Sequence, residues 1–139
     1  MNRVKTLKKY SKGTKYKQRT ISVWNEVARF YHRRWAKDEI GPFGVTKKLL
    51  EISKIKKGDS VLDLACGTGL VTKKLISKVG EKGQVCAIDS SESAIKIAKK
   101  WVANSKNIYF VRGDAETCLL YTSDAADDTP CVDLGGRRI

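Results

Sequence analysis

The sequence predicts an α/β domain, a parallel sheet covered by helices and entered through two further helices. Three observations carry that prediction. From residue 60 onward, short apolar runs alternate with amphipathic stretches of helical length. A Gly-rich turn, Gly67-Thr68-Gly69, follows the first run directly. An acidic residue stands within or just after each of the three runs: Asp63, Asp89 and Asp114.

The elements follow in order. Ile21–Lys37 has helical periodicity, with Val23, Val27, Phe30, Tyr31 and Trp35 at spacings of three and four. Gly41-Pro42 breaks it, and Gly44–Ile55 reads as a second amphipathic helix with Val45, Leu49, Leu50 and Ile52 on its apolar side. Ser60–Leu64 is the first strand, and Leu70–Val79 is a helix with Val71, Leu75, Ile76 and Val79 on one face. Gln84–Asp89 is the second strand. Ser90 and Ser91 are placed to cap a helix over Ser91–Ala103, and Ile108–Arg112 is the third strand. Strand, helix, strand, helix, strand is the pattern of βαβ crossovers.

Composition bounds the function. With 139 residues the chain has room for one domain, and 41% hydrophobic residues suffice for a packed core. No apolar run approaches the roughly 20 residues that span a bilayer, and the basic N-terminus lacks a signal-peptide core. A cytoplasmic location is expected. The four cysteines (Cys66, Cys86, Cys118, Cys131) show no C-x-x-C spacing and His32 is the single histidine, so no metal site is expected. His32 falls on the polar side of its helix and reads as solvated.

The net charge is +13 and unevenly spread. Met1–Thr20 contains Arg3, Lys5, Lys8, Lys9, Lys12, Lys15, Lys17 and Arg19 and no acid, so it reads as a disordered basic tail able to touch a polyanion such as RNA. Domain organisation is therefore expected as a tail over 1–20, a domain over 21–117 and a distinct segment over 118–139.

Open α/β sheets bind ligands at the carboxyl ends of their strands, where the three acids lie. Gly67 and Gly69 allow a tight turn and a close backbone approach, leading into the N-terminus of the next helix. An acid ending the second strand, Asp89, can accept two hydrogen bonds from a ribose diol. A nucleoside-bearing cofactor is expected.

The run Val61-Leu-Asp-Leu-Ala-Cys-Gly-Thr-Gly69 resembles motif I of class I S-adenosylmethionine-dependent methyltransferases, D-x-[GA]-x-G-x-G, with Ala65 in the first small position. Val85–Ser91 resembles motif II and Phe110–Glu116 the motif after it. The wording is closest to the ubiquinone/menaquinone-biosynthesis type, whose upstream V-A-x-x-Y is similar to Val27-Ala28-Arg-Phe-Tyr31. The resemblance implies the N-terminal half of a Rossmann-like fold, strands one to three of a seven-stranded sheet ordered 3-2-1-4-5-7-6.

It also implies S-adenosylmethionine as cofactor. Asp63 would join the network around the methionine ammonium, Asp89 and Ser90 would meet the ribose, and Asp114 with Ala115 the adenine. Ala65, Gly67, Thr68 and Gly69 would form the loop, and Tyr31 would border the methionine end. A carboxylate beside the loop suits a ligand without phosphates and disfavours the pyrophosphate of NAD.

Cys118–Ile139 does not continue the pattern, since no fourth strand follows Glu116. It back-translates into strings resembling the transposon-end adapter and flow-cell primer of short-read libraries. The expectation is a truncated methyltransferase domain with a foreign tail, weak cofactor binding, no activity by itself and no catalytic residue assignable. A small-molecule acceptor, such as a quinone precursor, leads. An RNA acceptor held by Met1–Thr20, and a non-catalytic Rossmann-like module binding NAD or no cofactor, are the alternatives.

Overall fold

The computed structural model describes residues 5–6, 15–35 and 44–115. Its elements are β1 (Lys5–Thr6), α1 (Lys15–Trp35), α2 (Val45–Ile52), β2 (Ser60–Leu64), α3 (Leu70–Val79), β3 (Gln84–Asp89), α4 (Glu92–Trp101) and β4 (Ile108–Arg112). All strands pair in parallel, in the order β1-β4-β3-β2. The three long strands and α3 occupy the spans that their patterns predict. The expected segment 118–139 lies outside the described residues.

Strands buried on both faces read as continuous apolar runs rather than alternating ones. Accordingly Val61, Leu62 and Asp63 of β2 are all buried, and Val85, Ala87 and Ile88 of β3 likewise. Leu75 and Val79 of α3 and Ile95 and Ala98 of α4 join Val85, Ala87, Ile108 and Phe110 in one core. Val85 pairs with Val61 on one side and Ile108 on the other, which brings the carboxyl ends of β2, β3 and β4 to one edge of the sheet. β2 closes the sheet on its far side among the described residues, and Leu64 at its end is exposed.

The N-terminal region departs from expectation. The segment read as a tail through Thr20 is partly folded: Lys5 and Thr6 pair with Val111 and Arg112, and α1 begins at Lys15 rather than Ile21. Lys17 supplies a physical reason, because its ammonium lies 2.8 Å from the Asp114 carboxylate, a partner remote in sequence.

The face of α1 is also different. Val23, Val27 and Phe30, expected inward, are 50%, 37% and 67% exposed, whereas Ala28 is buried. Here polar contacts set the orientation. The Asn25 carboxamide oxygen accepts from the Ser91 hydroxyl (2.8 Å) and the Ser93 amide (3.2 Å), and the small Ala28 permits a close approach. His32 follows that face inward and is not simply solvated: its ring stands edge-on to Trp101 at 4.7 Å, and burial lowers its pKa.

Ser91 serves two elements at once. Its hydroxyl oxygen accepts from the Ala94 amide (3.1 Å), capping α4 as expected, while its proton goes to Asn25. Glu92 in the first turn of α4 pairs with Lys96 and Arg112, linking the helix to the end of β4.

The turn before β3 is tightly closed. A Cβ at Gly83 would lie 2.5 Å from Val79 Cβ and 2.7 Å from the Asp59 carbonyl oxygen. Gly83→Ala is therefore expected to destabilise the chain by about 1–3 kcal/mol, the usual cost of overpacking, measured as a lowered midpoint in urea unfolding. An unchanged midpoint would show that this turn is loose.

Candidate cofactor site

The site forms where β2 gives way to α3. Three alternate residues of the loop have positive φ: Ala65 (57°), Gly67 (54°) and Gly69 (91°). Left-handed backbone costs a residue with a Cβ roughly 1–2 kcal/mol, which explains glycine at 67 and 69, while Ala65 carries that cost. Gly69 has a second constraint, since a Cβ there would meet Ala98 Cβ at 3.0 Å. The loop thus packs directly on α4. Its geometry is held by hydrogen bonds from the Cys66 amide to the Ile88 carbonyl (3.0 Å) and from the Gly69 amide to the Cys66 carbonyl (3.0 Å).

Asp89 organises the neighbouring turn. One carboxylate oxygen accepts from the Gly67 amide (2.8 Å), the other from the Ser91 amide (2.7 Å), and the Asp89 carbonyl accepts from Gly113 (3.0 Å). Each carboxylate oxygen has capacity for a further donor. The loops after β2, β3 and β4 are thereby joined through one residue.

Asp63 lies behind this loop. It is 2% exposed, and the Thr72 hydroxyl donates to its carboxylate at 2.5 Å. Burial pushes its pKa up to about 6, the Thr72 hydrogen bond opposes that rise, and the Asp89 charge adds to it. Cys66 is buried too, and burial together with the charges of Asp63 and Asp89 pushes its thiol up, so it is no nucleophile.

A cavity of about 320 Å³ opens between α1 and the strand ends. Thr20, Trp24, Ala28 and Tyr31 of α1 form one wall, with Trp24 and Tyr31 packed edge to face at 5.9 Å. Ala65, Gly67, Thr68, Asp89, Ser90, Ser91 and Ala94 form the other.

Of the residues that the sequence singles out, Tyr31, Ala65, Gly67, Thr68, Asp89 and Ser90 meet at this cavity. Asp63 and Gly69 stand behind it, against α3 and α4. Asp114 lies outside the cavity lining, near the start of α1 and paired with Lys17, and Ala115 follows it. Sequence reasoning missed Thr20 and Trp24 of the α1 wall, and the docking of α1 through Asn25 and Ala28. The signal for Asn25 and Ala28 was the 21-25-28-32 spacing, obscured by a more hydrophobic stripe beside it. Among the described residues no group of three or more His, Cys, Asp or Glu could hold a metal, and no helix is long and apolar enough to cross a membrane.

A parallel sheet, a left-handed small-residue loop leading into a helix and an acid at the next strand end define a Rossmann-like domain for a nucleoside-bearing ligand. More narrowly, the chain belongs to the family described as methyltransferase domain, whose pattern matches residues 55–131. That match reaches into the segment expected to be foreign.

The chain is 30% identical over 122 residues to the ubiquinone/menaquinone biosynthesis C-methyltransferase UbiE of Legionella pneumophila, covering 85% of this chain and 47% of that protein. It is 39% identical over 93 residues to the demethylmenaquinone methyltransferase of Staphylococcus epidermidis, covering 67% of this chain and 38% of that one. The chain thus spans about half or less of these curated relatives. Among solved structures, TrmN from Thermus thermophilus aligns with a TM-score of 0.54 at 22% identity, over 69% of this chain and 29% of that one, a likeness of fold.

Asp63 makes the pH dependence of stability predictable. Its folded pKa of about 6 exceeds its ordinary 3.8, so the folded chain holds a proton that the unfolded chain releases. Its contribution is full below the ordinary value and is lost as pH rises to about 6. Asp63→Asn is expected to flatten this part of the profile and to raise the thermal midpoint at pH 7.5 relative to wild type. A lower midpoint would contradict it.

Proposed function

We propose that the chain is the cofactor-binding half of an S-adenosylmethionine-dependent methyltransferase whose acceptor is a small molecule of the quinone-precursor kind. The observation that carries the cofactor assignment is the pairing of two carboxylates with different surroundings at one loop. Asp89 faces the cavity with hydrogen-bonding capacity to spare, which suits a ribose diol. Asp63 is buried, and among the described residues the strongest charge acting on it is the like charge of Asp89, so it suits an incoming ammonium. A pyrophosphate would be repelled by Asp63, whereas Asp89 suits the ribose of either cofactor. The acceptor class rests on the likeness to the two quinone-pathway relatives.

When bound, the cofactor supplies a methyl group activated by its sulfonium charge. The residues of this chain bind and orient. Asp89 and Ser90 would hold the ribose, Asp63 the ammonium, and Asp114 with Ala115 the adenine edge, while Gly67 and Gly69 keep the backbone out of the way. Trp24 and Tyr31 wall one side of the cavity, favouring a fixed approach. A soluble cytoplasmic setting fits this reading. We read the chain from Lys5 through residue 117 as part of the authentic domain and 118–139 as foreign, which recovery of the intact locus tests. A gene that encodes the same 22 residues and then stops would refute it.

Titration of the chain with S-adenosylhomocysteine and with NAD tests the cofactor. The first is expected to bind more tightly, at an affinity weaker than low micromolar, and Asp89→Ala to weaken it about tenfold or more, as loss of hydrogen bonds to a charged group does. Preference for NAD, or an indifferent Asp89→Ala, would overturn the reading. Methyl transfer to a demethylated quinone is expected from the protein of the intact locus and not from this chain. Transfer to RNA instead would reassign the acceptor.

A further inference from the structure

The Thr72 hydroxyl is fully buried, reaches one residue and serves no helix-capping role. Thr72 is the third residue of α3, and its Oγ1 donates to Asp63 Oδ2 at 2.5 Å, with Thr72 wholly inaccessible and Asp63 nearly so. We infer that Thr72 is the positioning residue that keeps the Asp63 carboxylate ionised and aimed, so that it recognises a ligand's ammonium group. The inference rests on the cofactor reading above and extends it to a residue outside the loop motif.

The argument is one of competing effects. A carboxylate this deeply buried is driven toward its neutral form, which attracts no cation. The titratable groups facing it do not help. Asp89 at the end of β3 is a like charge, and the Cys66 thiol beside the loop is neutral. Of the three lysines of α3, Lys73 lies over the Trp101 ring at 4.7 Å, Lys78 donates to the Leu50 carbonyl at 2.8 Å, and Lys74 is not among the groups that shift Asp63. A hydroxyl proton directed at Asp63 favours the charged form without neutralising it, as a lysine would. The carboxylate therefore stays anionic behind the loop, and the ligand's ammonium is drawn toward it from the cavity side.

The backbone builds this contact. Gly69 caps α3 in the left-handed conformation at φ 91°, and the Lys73 amide bonds the Gly69 carbonyl at 2.9 Å as the helix begins. Starting the helix there brings its third residue back over Asp63 on β2. The loop that approaches the ligand thus also sets the hydroxyl that tunes the carboxylate behind it.

Two probes separate this role from simple packing. S-adenosylhomocysteine carries the ammonium, and 5′-methylthioadenosine has the same nucleoside without it. At pH 7, Thr72→Val, nearly isosteric, is expected to weaken the first about tenfold while leaving the second within about twofold. The pH midpoint for binding the first should rise by about one unit. Thr72→Ser, which keeps the hydroxyl, should restore both affinity and midpoint. Thermal unfolding of each variant reports folding.

Equal weakening of both probes, or no midpoint shift in Thr72→Val, would overturn the inference while leaving the cofactor reading intact. Failure of Thr72→Ser to recover would do the same. A folded wild-type chain that binds neither probe would overturn the cofactor reading, and this inference with it.

Discussion

The Asp89 carboxylate is the junction on which the site depends. Its two oxygens take the amides of Gly67 and Ser91, and its carbonyl takes the amide of Gly113. Three loops from three strands converge there, with parallel register placing their origins level. A buried amide left without an acceptor costs about 1–3 kcal/mol, so the loop after β2 and the first turn of α4 are stable chiefly in each other's presence. The two acids of the site divide the work by environment. Asp89 is bridged and faces the cavity. Asp63 is enclosed and held by a single hydroxyl.

Much of this was legible in the sequence. The strands and α3 match their patterns because a strand buried on both faces leaves an apolar signature, and because glycine or serine marks most boundaries. The Asp-x-Ala-x-Gly-x-Gly spacing encodes backbone geometry directly, since each small residue stands where φ is positive. Asp89 and Ser91 were readable as strand end and helix cap for the same reason: the chemistry is local.

What was not legible is non-local. Hydrophobic periodicity placed Val23, Val27 and Phe30 inward, yet α1 docks through Asn25 and Ala28. A hydrogen bond between residues 66 positions apart leaves no trace in a periodic pattern. The same holds for the folding of the basic segment, where Lys17 finds Asp114 and Lys5–Thr6 finds the outer edge of β4. Two residues have no strand signature of their own, and only a preformed sheet makes them one.

The doubly used hydroxyl of Ser91 has a mechanical meaning. α1 forms a wall of the cavity, and the Ser91–Asn25 bond ties that wall to the start of α4. That bond belongs to the residue that caps α4 and donates its own amide to Asp89. Movement of the wall is therefore coupled to the turn that Asp89 organises, and whatever rigidifies that turn steadies the wall in return.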